Sequence, residues 1–131
     1  MKFLLLSGEK YKVPWRLITI SYAIFIFIMC TTGIENLPRS IFFWSYIDII
    51  YHFVGFCIFS IFLRISFYGY DRNKSLELTI LCGLIWAFIC EILQIFIPTR
   101  SFTIADLLAN WMGIIFAQLL INIKNKFSKV K

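Results

Sequence analysis

The chain has 131 residues, of which 60% are hydrophobic and only 15% are charged, and its formal net charge is +6. Soluble domains contain roughly 45–50% apolar and 25% charged residues, so this chain has too few charges to cover its surface in water. The composition excludes a water-soluble globule, a disordered chain, a collagen and a nucleic-acid module, and it indicates that the protein lies in lipid.

Four apolar stretches follow one another, at about residues 17–33, 46–63, 76–97 and 104–123. Each is long enough to cross a hydrocarbon layer of roughly 30 Å as a helix that rises ~1.5 Å per residue. Unpaired backbone groups are costly in lipid, and the stretches lack the alternation of barrel strands. The sequence therefore predicts an all-α membrane protein, a four-helix transmembrane bundle that forms a single domain over residues 1–131.

Short polar segments separate the predicted helices. The first helix follows Pro14, and residues 35–39, 68–74 and 98–103 form the three connections. The last connection ends in Thr103-Ile-Ala-Asp106, which has the spacing of a helix-capping box with Asp in place of Glu or Gln. None of these connections is long enough to bound a second domain.

The basic residues predict the orientation of the bundle. Eleven of the 13 Lys and Arg residues lie on the side of the two termini, and only Arg39 and Arg100 lie on the other side. Because basic loops resist translocation, we expect both termini in the cytoplasm of a bacterium. The positive charge then requires no nucleic-acid partner. A cleaved signal peptide is disfavoured, because no A-x-A-like site follows the first apolar run.

Several kinds of chemistry find no support in the sequence. The cysteines lie in apolar stretches without a CxxC pair, which is typical of small buried hydrophobes. No G-x-S-x-G motif supplies a nucleophile, and the chain has 1 His with scattered carboxylates rather than a ligand pair such as His-x-x-x-His. We therefore expect no metal and no cofactor.

Polar side chains inside the apolar stretches are the most informative residues. An ionisable side chain at mid-depth costs at least ~2.5–3.5 kcal/mol, so it usually faces the interior of a bundle and has a partner there. The residues concerned are Asp48 and His52 in the second stretch, Glu91 and Gln94 in the third, and Asp106 and Asn110 in the fourth.

Each polar pair lies on one helical face that continues into small residues. Gly55 extends the face of the second helix, Gly83 and Ala87 that of the third, and Gly113 and Ala117 that of the fourth. Small residues let membrane helices approach closely. We therefore expect the three polar faces to converge.

Helical rise gives the expected depth of these side chains. His52, Glu91 and Asn110 lie about 9 Å below the outer boundary, and the other three lie within about 5 Å of it. Arg100 lies in the connection above them. We expect a two-layer polar pocket that opens to the outside, with almost no polar side chains to match it in the inner half.

Each of these residues has two interpretations. Glu91 is either an acid/base or ligand-binding carboxylate or the ion-pair partner of Arg100. Arg100 in turn either binds a lipid phosphate or carboxylate through its guanidinium or caps Asp106. His52 either exchanges protons or binds a ligand, or it makes a packing hydrogen bond. Gln94 and Asn110 are expected to form hydrogen bonds between helices.

The motif from Glu91 to Gly113 reads Glu-x-x-Gln-x-x-x-Pro-x-Arg-x-x-Thr-x-x-Asp-x-x-x-Asn-x-x-Gly, and Asp48-x-x-x-His52-x-x-x-Phe56 precedes it. This pattern resembles the VanZ-like family of small bacterial membrane proteins over roughly residues 17–123. Family members often carry Lys where this chain has Ile49. The resemblance implies a link to low-level resistance against teicoplanin, a lipid-bearing glycopeptide, and it implies no particular reaction.

Three functions fit these observations. In the one we favour, a non-enzymatic envelope protein binds a membrane lipid, a cell-wall precursor or a glycopeptide group in its pocket. The second is an intramembrane enzyme on a lipid-linked substrate, with Glu91 and His52 as the acid/base pair and Arg100 as an anion clamp. The third is a proton-coupled carrier, which four helices would form only as an oligomer.

Overall fold

A computed structural model describes residues 12–32, 41–98 and 102–127. It contains four helices, α1 (Lys12–Thr31), α2 (Ile41–Ser66), α3 (Arg72–Gln94) and α4 (Ile104–Phe127), and the described residues form no strand. All 4 are long and apolar enough to span a membrane. The predicted all-helical architecture with four spans is confirmed.

The helix bounds differ from the apolar stretches by several residues. α3 begins at Arg72 rather than near residue 76, and its N-cap Asp71 accepts a hydrogen bond from the backbone N–H of Lys74 at 3.2 Å. The turn before it contains Gly69 with φ 104°, a conformation that favours glycine. α3 ends at Gln94 rather than near residue 97. Hydropathy thus located the spans but not the residues at which the helices begin and end.

Helices α2 and α4 run parallel and form the most extensive contact in the bundle. His52 contacts Asn110 and Ser60 contacts Gln118, and both pairs are separated by 58 residues. α3 runs antiparallel to them and packs against both, and α1 packs against α2 and α3. α2 and α4 are therefore direct neighbours although α3 lies between them in sequence.

Gly113 explains how closely α2 and α4 approach each other. A Cβ atom at this position would clash with the carbonyl oxygen of Phe53 and would lie 3.1 Å from the backbone nitrogen of Cys57. Such an approach between helix backbones requires glycine. Gly55 lies on the predicted polar face of α2, and a Cβ atom added there would have nothing within 4 Å. Only Gly113 of these two glycines therefore serves as a contact point.

The bundle has a small apolar core and a large apolar outer surface. Phe56, Phe59, Ala87 and Ile114 are buried between the helices, and large hydrophobic side chains are exposed on all four helices. Such a surface is typical of a protein in lipid. In the membrane-spanning window of α1 only 17% of the residues are buried, against 44% in α4. α1 is therefore the most peripheral helix.

The expectation that the inner half lacks polar side chains is wrong. In this half Nε2 of Gln118 donates hydrogen bonds to Oγ and the carbonyl oxygen of Ser60, at 2.7 and 3.1 Å. The hydroxyls of Thr19 and Ser66 lie 2.6 Å apart, and Thr79 is also buried. These uncharged side chains bond to each other and to helix carbonyls, so they did not interrupt the apolar stretches. We call Ser60 and Gln118 the serine–glutamine pair.

Candidate functional site

Three helices bring five polar side chains together near one end of the bundle. α2 supplies two of them one turn apart, α3 supplies one from its last turns, and α4 supplies two from its first turns. They meet because α2 and α4 begin at the end of the bundle where α3 finishes. We call this group the carboxylate cluster, and its members are Asp48, His52, Glu91, Asp106 and Asn110.

Asn110 is the centre of the cluster and is completely buried. Its Nδ2 donates a hydrogen bond to Oε1 of Glu91 at 2.9 Å, and its Oδ1 lies 3.0 Å from Nδ1 of His52. Oε1 of Glu91 is also 3.4 Å from the same His52 nitrogen. Because Oδ1 of Asn110 is an acceptor, this network assigns the ring proton to Nδ1 of His52. The three side chains expected at one depth are thus in contact, and Asn110 makes interhelical hydrogen bonds.

Thr103 holds Asp106 in place at the start of α4. The backbone N–H of Asp106 donates to Oγ1 of Thr103 at 3.1 Å, as the predicted capping box requires. The hydroxyl of Thr103 in turn donates to Oδ2 of Asp106 at 2.5 Å. In a standard capping box this carboxylate would instead accept a hydrogen bond from the backbone N–H of the N-cap residue. Thr103 therefore belongs to the site as an orienting residue. The capping-box spacing was the sequence signal for it.

Asp48, His52 and Asp106 form a compact group of potential metal ligands. Each offers one ligand atom, and these atoms all lie within 4.8 Å of one another. His52 and Asp106 are buried, and Asp48 is half-buried. The expectation of no metal rested on the absence of a ligand pair within one helix. Spacing along one helix cannot reveal a ligand that a second helix contributes.

Two buried polar atoms near the cluster lack a hydrogen-bond partner among the described residues, namely Oε2 of Glu91 and Nε2 of Gln94. Both side chains are almost completely inaccessible to solvent, and they lie one turn apart on α3. Burying an unpaired polar atom is costly. One acceptor and one donor therefore remain for a bound molecule.

The basic side chains that the structure describes lie at the opposite end of the bundle. Arg64 donates to the carbonyl oxygen of Arg72, and Arg72 donates to that of Asn122. Within the described ranges 12–32, 41–98 and 102–127, every Lys and Arg lies toward the end of its helix that is remote from the cluster. Arg100 lies outside the described residues, so its pairing with Glu91 or Asp106 stays a prediction.

The family model of VanZ/LLP1 matches residues 4–125, which include nearly the whole chain and every residue of the carboxylate cluster. No curated protein and no solved structure matches the chain.

Proposed function

The chain belongs to the VanZ/LLP1 family, and from this premise we propose that its carboxylate cluster binds the polar group of an amphiphilic envelope component. The ligand classes are a membrane lipid, a lipid-linked cell-wall precursor and a glycopeptide such as teicoplanin. Binding of this kind would reduce drug action at the cell surface without a chemical reaction. The observation that carries the proposal is the buried carboxylate cluster, built by three helices in an otherwise apolar protein.

The chemistry of the cluster suits a head group with hydroxyl or ammonium donors. Carboxylate oxygens of Asp48, Glu91 and Asp106 accept hydrogen bonds from such groups. Gln94 adds an amide donor that lacks a partner among the described residues. Arg100 would extend the site toward an anionic group, because its guanidinium matches phosphates and carboxylates. The acyl chains of the ligand would lie against the exposed apolar faces of the helices.

We also propose that the protein lies in the bacterial cytoplasmic membrane with both termini in the cytoplasm. The support is the gathering of Arg64, Arg72 and the Lys residues of late α4 at the end of the bundle opposite the cluster. The cluster would then face outward, where envelope ligands are found. A fluorescent protein fused to the C-terminus would fluoresce in this orientation and stay dark in the reverse one.

The proposal is tested by expressing the chain in a teicoplanin-susceptible bacterium. We expect the wild-type protein to raise the inhibitory concentration of teicoplanin. The Glu91→Gln variant should abolish this increase, and the Gln118→Met variant should retain it. Native mass spectrometry of the purified protein should detect an amphiphile that the Glu91 variant loses. Unchanged susceptibility together with no bound amphiphile would refute the proposal.

The second candidate is an intramembrane acid/base enzyme on a lipid-linked substrate. It is favoured by the 3.4 Å separation between Nδ1 of His52 and Oε1 of Glu91, which is close to the reach that proton transfer requires. Lipid composition after expression separates the two candidates. A change that depends on Glu91 supports the enzyme, and a change that persists in Glu91→Gln contradicts it.

A further inference from the structure

We infer that Asp48, His52 and Asp106 bind one divalent transition-metal ion, with an oxygen ligand of water or of a bound amphiphile completing the coordination. The inference concerns the protein alone and holds whether or not an envelope ligand is bound. It rests on the geometry of the three residues, the hydrogen bonds behind them and the buried oxygen of Glu91 that has no partner among the described residues.

The geometry of the triad is close to that of a metal site. Its ligand atoms lie within 4.8 Å of one another. Ligands of a zinc ion bind at about 2.0–2.2 Å, which places them roughly 3–4 Å apart. Metal binding therefore requires the three ligand atoms to move closer together than their present separations of up to 4.8 Å.

Hydrogen bonds behind the triad fix its ligands as in known metal sites. Nδ1 of His52 donates to Asn110, so the lone pair on Nε2 is the nitrogen donor of the neutral ring. Asn110 is held in turn by Glu91, and Asp106 is held by Thr103. Metal-binding histidines commonly donate their other ring N–H to such a partner, which fixes the tautomer and the ring orientation.

The triad supplies oxygen and nitrogen ligands of the kind that metal ions prefer. Two of its three members are carboxylates, and His52 adds an imidazole. A bound metal ion is the largest local charge such a site can have, and it stabilises carboxylates in an apolar bundle.

The unpartnered Oε2 of Glu91 is independent evidence that the site holds another molecule. This oxygen is buried and has no hydrogen-bond partner in the described part of the chain. The other oxygen of the same carboxylate lies 3.4 Å from His52. A metal-bound water beside the triad would donate a hydrogen bond to it. Three protein ligands with one open position are typical of sites at which zinc also binds a water or substrate.

One imidazole with two carboxylates suits zinc, manganese or iron better than calcium, which prefers oxygen ligands alone. Zinc and cobalt are the probes of choice, because cobalt commonly replaces zinc and reports its coordination by visible absorption. The protein is purified in dodecylmaltoside, its affinity tag is removed, and it is treated with chelator before titration. Calorimetry then gives the zinc stoichiometry and affinity.

We expect one zinc ion per chain and cobalt absorption bands in the wild type. Asp48→Asn and Asp106→Asn should each weaken zinc binding at least about 100-fold, and Asn110→Ala by about 10–100-fold, because it only orients His52. Glu77→Gln removes an exposed carboxylate elsewhere on α3 and should bind zinc as the wild type does. Helix content by circular dichroism establishes that each variant is folded.

Absence of zinc binding by the wild type would overturn the inference, whatever the variants do. Equal binding by folded Asp48→Asn or Asp106→Asn would overturn it as well. If Asp106→Asn fails to fold, Asp48→Asn decides, because Asp48 is half-buried and caps no helix. The inference and the proposed function fail separately. Zinc binding with unchanged teicoplanin susceptibility and no bound amphiphile contradicts only the proposed function, and a bound amphiphile without zinc binding contradicts only the inference.

Discussion

The carboxylate cluster and the serine–glutamine pair lie between the same two helices and yet differ in chemistry. Moving along α2 and α4 by the same number of residues leads from the His52–Asn110 contact to the Ser60–Gln118 contact. Gln118 bonds only to uncharged groups of Ser60, and Ser60 bonds to the carbonyl oxygen of Ile114. A neutral pair of this kind joins two helices at little electrostatic cost.

The carboxylate cluster contains ionisable groups instead. Each site also contains one buried side-chain oxygen without a partner among the described residues, Oε2 of Glu91 and Oε1 of Gln118, so charge is the difference between them. Ionisable groups at this depth cost stability, so their presence indicates a role other than joining helices. The proposed function assigns packing to the serine–glutamine pair and binding to the carboxylate cluster. Four substitutions test this division, and their expected effects on stability differ in size.

Gly113→Ala should break both sites at once, because Gly113 lies between them on α4. The added Cβ would clash with the carbonyl oxygen of Phe53, so α2 and α4 must move apart. We expect a loss of about 3 kcal/mol in the free energy of unfolding, at the upper end of overpacking effects. Unfolding in mixed detergent and dodecyl sulfate, followed by circular dichroism, measures this loss.

Gly55→Ala is the matched control, since a Cβ there meets nothing within 4 Å. It should change the free energy of unfolding by no more than about 0.5 kcal/mol. Equal losses in the two alanine variants would contradict the close approach of α2 and α4 at Gly113.

Asn110→Ala should disrupt only the carboxylate cluster. The substitution removes the hydrogen bonds to His52 and Glu91 and leaves both side chains buried without that partner. Because buried polar groups are left unpaired, we expect the free energy of unfolding to fall by about 2 kcal/mol. Zinc binding should also become weaker. Asn122→Ala, which removes a long contact with Arg72 at the other end, should have little effect on either quantity. Similar losses for the two variants would show that Asn110 has no special role.

The sequence predicted the membership of the carboxylate cluster better than its chemistry. Asp48, His52, Glu91, Asp106 and Asn110 stand out because ionisable and amide groups are rare in apolar stretches. The metal-ligand triad was not predicted, because spacing within one helix says nothing about a ligand from another. The parallel contact of α2 with α4 is likewise a tertiary feature that no local pattern specifies.

The serine–glutamine pair escaped prediction for a different reason. Ser60 and Gln118 have no charge, and Ser60 satisfies its hydroxyl on a helix carbonyl. Ser60 barely lowers the hydropathy of its span, so its burial becomes visible only when the facing helix is known. Gln118, however, is an amide within an apolar stretch, as Asn110 is, and the same rule could have singled it out. The sequence therefore predicted the four helices and the charged site, but not the neutral contact that helps to align them.

Thr103→Ala tests how Asp106 is held at the start of α4. Without the hydroxyl, Oδ2 of Asp106 loses its hydrogen-bond donor, and the backbone N–H of Asp106 loses its acceptor. We expect the free energy of unfolding to fall by about 1 kcal/mol, which is typical when an N-cap side chain is removed. Zinc affinity should fall as well, because the carboxylate is no longer oriented. Thr103→Ser retains the hydroxyl and should behave as the wild type in both measurements, and a defect in this variant would contradict the capping role.

Gln118→Met should have the smallest effect and separates the two sites most clearly. Methionine has a similar volume but cannot donate to Ser60, so the two bonds at 2.7 and 3.1 Å are lost. Interhelical hydrogen bonds in membranes contribute about 0.6 kcal/mol on average, and we expect a loss of that size in the free energy of unfolding. Zinc affinity should not change. Adding Ser60→Ala to Gln118→Met should lower the free energy of unfolding further, because it also removes the bond from Oγ of Ser60 to the carbonyl oxygen of Ile114. If zinc affinity falls in Gln118→Met, then α2 and α4 transmit strain between the two sites. The serine–glutamine pair would then contribute to binding as well as to packing.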